Sequence, residues 1–281
     1  MSFLTYNGVA VPSYMYGTAW KKQETTRLVK LAVEKGFTAI DTANQIIHYD
    51  EALVGKALQE IWSSGVKRQD LFLQTKFTSV NGQDHRTPYD AKADLGTQVR
   101  QSVESSLKHL HTDYIDSYVL HGPYYRNRLV GEDWEIWGAI EDEFKAGKFR
   151  MVGVSNVSAE QLRELCSKAK VKPMIVQNRC FAVTAWDKEV RGICQEHNII
   201  YQGFSLLTAN QAAFGDAAVH RICKRLGSTV AQMVFAFSLQ IGIQVLTGTT
   251  TAKHMEEDLQ SHSFVLEPDE LKQIESIALR V

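Results

Sequence analysis

Three side chains that close apolar runs stand where a catalytic set would need them. Asp41 ends "FTAI", Lys76 ends "LFLQT" and His121 ends "YVL". Brought together, an acid, an amine and an imidazole can manage a proton at an oxygen. Taken singly, each has an ordinary explanation. A strand-end aspartate commonly caps the next turn, and a single histidine serves as well as a hydrogen-bonded core residue. Lys76 is harder to dismiss, because an ammonium at the mouth of a packed core needs a partner. The occurrence of all three at equivalent places favours chemistry. A tyrosine would complete it: a Lys76 ammonium beside a phenol is expected to pull its pKa down from about 10, and Asp41 would balance Lys76. The stretch "IDTANQIIHYDEALVG" offers Tyr49, with no regular spacing from Asp41.

The elements that must position these groups are short and regular. "SYMYGTA", "FTAIDTA", "LFLQTKF", "YIDSYVLH", "FRMVGVSN", "PMIVQNRC", "IIYQGFSLL" and "IQVLTGTT" are brief, aliphatic or aromatic, and bounded by turn residues, as strands are. Between them lie segments with apolar residues at three- and four-residue steps, several stopped by a glycine: Gly36, Gly65, Gly147, Gly242. A last helical segment opens with Pro268. Eight such units without a sequence repeat predict an α/β fold, a (β/α)8 TIM barrel whose active residues sit at the C-terminal strand ends. The rival, an open doubly wound sheet, lacks its GxGxxG after the first strand. Asn7-Gly8 between two apolar runs predicts a short N-terminal β-hairpin with a two-residue turn.

Composition narrows the partners. The chain has 281 residues, 44% of them hydrophobic, and no linker-like tract divides it, so residues 1–281 are expected to form one barrel domain. With 31 basic and 32 acidic residues mixed along the chain, no nucleic-acid surface is advertised. No roughly 20-residue apolar run calls for a membrane, and no leader pattern is present, so a cytoplasmic place is expected. Cys166, Cys180, Cys194 and Cys223 form no CxxC pair and stand near no histidine cluster; they read as reduced thiols, with no metal site. A small-molecule partner is the expectation, and nothing bears on oligomeric state.

In this order the motifs resemble the aldo-keto reductase family over almost the whole chain. "NGVAVPSYMYGTAW" is similar to its hairpin and first strand, "GFTAIDTA" to its aspartate motif, "QTKF" to its lysine motif, "DYIDSYVLHGP" to its histidine motif and "GKFRMVGVSN" to the segment after its fourth helix. The resemblance implies reduction of aldehydes or ketones with NADPH, NADH being a second possibility. It implies Asp41, Lys76 and His121 as catalytic residues and a tyrosine as proton donor. It implies that Gly17, Thr18 and Ala19 line the nicotinamide, that Ser155, Asn156 and Gln177 hold its carboxamide, that Phe204 stacks on its ring, and that Ser205, Leu206 and Leu207 pass the pyrophosphate. Trp20, Tyr124 and Tyr125 fall at the substrate mouth. Gln177, Phe204 and these three aromatics also have plain packing readings. A chain ending at Val281 would leave the pocket open on that side.

Two departures stand out. Where the family has a lysine-serine pair and then an arginine for the 2'-phosphate, alignment from "EEDL" puts Gly248, Thr249 and His254, with Glu257 and Asp258 at the adenine-side positions. Phosphate would then fall to backbone NH groups at a helix start, to Thr249 and to Lys253. The family tyrosine is five residues after the aspartate and three before a glutamate. Those counts give Ile46 and His48, and Tyr49 fits only if the loop is longer and bulges away from the barrel mouth. The loop "TSVNGQDHRTPYDAKADLG" is expected as a pocket wall or a loose surface loop. Two further readings stay open: a Schiff-base lysine aldolase built on Lys76, and a cofactor-binding regulatory subunit with little turnover.

Overall fold

The eight apolar runs lie side by side, all parallel, and close on themselves. In the computed structural model, which describes residues 2–279, they are β3 (Tyr14–Gly17), β4 (Ala39–Asp41), β5 (Phe72–Phe77), β6 (Ile115–Leu120), β7 (Phe149–Ser155), β8 (Ile175–Arg179), β9 (Ile200–Phe204) and β10 (Ile243–Thr247). Pairing of Val245 with Tyr14 and Thr247 with Tyr16 shuts the barrel. It is the expected (β/α)8 TIM barrel.

A two-stranded antiparallel sheet, β1 (Ser2–Leu4) and β2 (Ala10–Pro12), precedes the barrel. Its turn is longer than the expected two residues. Thr5 NH donates to Val9 O at 3.1 Å, leaving Tyr6, Asn7 and Gly8 in the loop with Gly8 at φ +78°. A three-residue loop of that kind places its glycine in the left-handed region.

Helices cover the barrel because their apolar stripes have only its outer face to bury against. They are α1 (Thr25–Glu34), α2 (Glu51–Ser63), α3 (Leu95–His109), α4 (Gly131–Lys145), α5 (Ala159–Lys168), α6 (Lys188–Glu196), α7 (Ala217–Leu226), α8 (Val230–Gln240), α9 (Ala252–Gln260) and α10 (Pro268–Glu275). In α7 the residues Ala218, Val219 and Ile222 carry the buried stripe at helical spacing. The last helix, α10, opens at Pro268 as expected and ends at Glu275, a short 3-10 turn follows, and Arg280 lies outside the described residues. Among the described residues no helix is long and apolar enough to cross a membrane, and no group of three or more acidic, histidine or cysteine side chains is placed to hold a metal ion. The four cysteines are free thiols, three of them buried.

Inside the barrel the strand period of two decides what points where. Gln74 and Lys76 of β5 share the inner face, and Thr75 between them faces the helices. Gln74, Gln177 and Gln202 meet there. Gln74 Nε2 and Gln177 Nε2 donate to Gln202 Oε1 at 2.8 and 2.9 Å, and Gln202 Nε2 donates back to Gln74 Oε1 at 3.1 Å. This amide layer is buried and lies directly against Asp41.

Candidate active site

Asp41, the last residue of β4, is the hub. Its Oδ1 accepts from Lys76 Nζ at 2.7 Å, Gln74 Nε2 at 2.8 Å and Gln177 Nε2 at 3.1 Å. Lys76 is 0% exposed and also donates to Thr42 O at 2.7 Å. A buried ammonium survives only with such partners. Burial pulls the Lys76 pKa below the ordinary lysine value, while Asp41 beside it pushes back. His121 follows β6, its Nδ1 2.6 Å from the Thr78 hydroxyl. Burial first, then the Lys76 and His48 charges, press its pKa down to about 3, so the imidazole is neutral at pH 7.

Tyr49 joins these groups. The Lys76 Nζ lies 5.2 Å from its ring centroid, and its ring meets that of His121 edge-on at 5.9 Å. Irregular spacing does not prevent this, because the tyrosine is placed from behind by α2. Asp50 caps that helix through its side chain, accepting from Leu53 NH at 3.0 Å. Glu51 accepts from the Thr75 hydroxyl and lies 3.1 Å from His109 Nδ1, pinning the helix start to β5 and α3. Gly55 lets α2 approach the end of α3 so closely that a Cβ there would sit 1.7 Å from His109 O. The extra residues leave by the surface: Tyr49 NH bonds back to Gln45 O, and Ile46 and Ile47 in the turn between are 39% and 40% exposed.

The phenol's acidity runs opposite to the sequence expectation. Burial first, and the Asp41 carboxylate second, raise the Tyr49 pKa. Lys76 does not lower it because Asp41, in direct contact, already neutralises that charge. His48 is turned elsewhere. It stacks on Trp20 with centroids 4.1 Å apart and bonds Gln45 through Nδ1 at 2.7 Å.

These groups open into a cleft of about 610 Å³. Asp41, Tyr49, His121, Gly17, Ala19, Trp20, Ser155, Asn156, Gln177, Phe204, Ser205, Leu206, Leu207, Gly248, Thr249, His254, Glu257 and Asp258 all line it. Of the residues picked from the sequence, Lys76, Thr18, Tyr124, Tyr125 and Lys253 do not. Lys76 is behind Asp41, and Thr18 spends both its NH and its hydroxyl on Asp41 O, at 3.0 and 2.9 Å. Tyr124 packs against the core with its NH on Asp133, and Tyr125 is 51% exposed beneath the Arg128 guanidinium. The long loop after β5 is absent from the lining as well. Gln83 Nε2 donates to Asn44 O and Gln45 Nε2 to Gly82 O, both within 2.8 Å, so this loop braces the Asp41–Tyr49 stretch instead of forming a wall. Arg179, unnoticed in the sequence, does line the cleft, its guanidinium 5.7 Å from the Phe204 ring. Strand alternation inward from Gln177 would have pointed to it.

The family model of the aldo/keto reductase family matches residues 13–279. The chain belongs to the aldo/keto reductase family. An uncharacterized oxidoreductase of Bacillus subtilis (strain 168), YtbE, is 30% identical over 97% of this chain and 91% of its own length. The glyoxal reductase of the same organism is 29% identical over the same shares. Among solved structures, an aldo-keto reductase from a Medee basin deep-sea metagenome library superimposes with a TM-score of 0.83 and 25% identity, covering 99% of this chain and 94% of the other. The silkworm (Bombyx mori) aldo-keto reductase complexed with NADPH, at TM-score 0.84 and 22% identity over 99% and 87%, shares the fold.

The aldo/keto reductase cleft fits a nicotinamide dinucleotide. At one end the amide nitrogens of Asn156 and Gln177 are used on protein oxygens, which leaves their carbonyl oxygens for a carboxamide. Phe204 supplies a flat apolar wall beside them. Gly17, paired in register with Asp41, stands close to Gly248, a Cβ on Gly248 falling 3.3 Å from Gly17 O. Beyond them Asp258 accepts from the Thr247 hydroxyl at 2.8 Å, and burial raises its pKa to about 6. Lys253 is directed to Glu257, 3.7 Å away, at the surface.

Proposed function

We propose that this chain reduces the carbonyl of an aldehyde or ketone, with Tyr49 as the proton donor and NADPH or NADH as the reductant. What carries the reading is the arrival of Tyr49 between Lys76 and His121 despite its displaced position in the sequence. A bound reduced nicotinamide would supply the hydride. The chain's own groups do the rest. A phenol with a raised pKa is fully protonated at neutral pH and gives up its proton only to a strong base, which a carbonyl oxygen becomes as hydride reaches its carbon. The phenolate left behind then lies beside the Lys76 ammonium. Neutral His121 orients the oxygen; its Nδ1 is paired with the Thr78 hydroxyl at 2.6 Å, which leaves Nε2 for the substrate. Trp20 offers an apolar wall at the mouth. The Schiff-base alternative needs a lysine amine with access to substrate, and the burial of Lys76 between Asp41 and Thr42 O argues against it.

The test is oxidation of NADPH and NADH against a panel of aldehydes, ketones and quinones, for the wild type and Tyr49→Phe. The expected result is turnover with at least one carbonyl and a loss of about 10²–10⁴ in kcat for the variant. Full activity in Tyr49→Phe removes it as donor. Borohydride trapping of substrate without nicotinamide consumption would support the aldolase instead.

A further inference from the structure

The guanidinium of Arg179 is the unused charge of the cleft. Among the described residues that line it, Arg179 alone is a lysine or arginine. Its side chain makes no hydrogen bond and no ion pair with them, and the Phe204 ring lies 5.7 Å from it. The carboxyl groups of the cleft all have partners: Asp41 in Lys76, Glu257 in Lys253 and Asp258 in the Thr247 hydroxyl. Strand alternation fixes where the guanidinium starts from. Gln177 and Gln202 pair in register and both belong to the buried amide layer against Asp41, and Arg179 pairs with Phe204 two residues further along the same strands. Arg179 therefore shares the inner face with Gln177, about 7 Å above it, at the end of the cleft that holds Tyr49 and His121.

We propose that Arg179 makes this cleft selective for carbonyl compounds that carry a carboxylate, its guanidinium holding that group while the carbonyl meets Tyr49 and His121. The inference rests on the carbonyl-reduction reading given above and names its substrate class, the oxo acids. A planar fork of donors matches the two oxygens of a carboxylate, and an aromatic ring beside the fork steadies it by cation–π attraction. The phosphates of the dinucleotide match the position less well. With its carboxamide at Asn156 and Gln177 and its adenosine toward Glu257 and Asp258, they lie further along the cleft than Arg179. A neutral carbonyl compound would leave the guanidinium without a partner.

The experiment compares para-formylbenzoate with its methyl ester, which is similar in shape and uncharged, in the wild type, Arg179→Met and Arg179→Glu, once thermal melting has shown each variant to be folded. There are two readouts: kcat/KM with NADPH, and calorimetric titration of each compound into the protein with no nucleotide present. The wild type should prefer the acid by about tenfold in both, the size of one charge-assisted contact. Arg179→Met should bring that ratio close to one, through KM and not kcat, and Arg179→Glu should turn it in favour of the ester. A wild type that treats acid and ester alike overturns the proposal, as does a preference for the acid that survives in either variant. Equal losses for acid and ester in Arg179→Met, with weaker NADPH binding, also overturn it and give the guanidinium to a cofactor phosphate. A wild type that reduces no carbonyl sinks the reductase reading by itself, and the acid-to-ester ratio in the titrations then still decides the carboxylate site.

Discussion

The two ends of the cleft are built differently. At the Asp41 end the charged and imidazole groups are held by residues at or just past neighbouring strand ends: Asp41 by Lys76, Gln74 and Gln177, and His121 by Thr78. At the Gly248 end the groups come from loops and from the first turns of α9, with fewer mutual bonds, and the Gly248 carbonyl accepts from Lys21 of the loop after β3. Interlocked strand ends cannot change one member without stranding another. Loop residues can be exchanged more freely.

Substitutions should therefore hurt most where partners interlock. Lys76→Met leaves the Asp41 carboxylate buried without its counter-ion, so unfolding should be easier by about 3–5 kcal/mol and turnover should be abolished. Urea titration together with the cofactor-oxidation assay checks both, and a variant as stable as the wild type would break the contrast. The acid sensitivity of His121 comes next. Its folded pKa of about 3 is below the unfolded value of 6.5, so the stability from its neutral form is full above pH 6.5 and is lost as pH falls toward 3. Urea midpoints at pH 7 and pH 4 should draw closer in His121→Asn. At the looser end Thr249→Ala should cost two- to tenfold in NADPH affinity by titration, about one hydrogen bond, with no change in melting temperature.

The smallest effect expected is at Asp258. Its carboxyl is raised to about 6 from 3.8, so the folded state prefers it protonated, and this preference turns into a penalty as pH rises between those values. Ionisation beside bound phosphate should weaken NADPH as pH climbs through 6. Asp258→Asn should flatten that slope in titrations at pH 5 and 7.5.

Legibility in the sequence follows the same division. The eight strands, and Asp41, Lys76 and His121 at their ends, could be read because barrel strands are short, apolar and closed by inward-facing polar residues. Tyr49 could not be placed by counting from Asp41, because its position is set by the start of α2 through Asp50, Glu51 and Gly55, which are tied to β5 and α3. The direction of its pKa was out of reach for a related reason: it depends on Asp41 neutralising Lys76, a contact between two strands.

The layer of Gln74, Gln177 and Gln202 beneath Asp41 has one more consequence. Primary amides neither gain nor lose a proton in the working pH range, so the floor of the site conducts no protons. On the proposed chemistry, whatever Tyr49 gives to the product oxygen must be replenished from the open side, by the same route that substrate uses. On that chemistry the amide layer is insulation, and the cleft mouth serves as both doorway and proton supply.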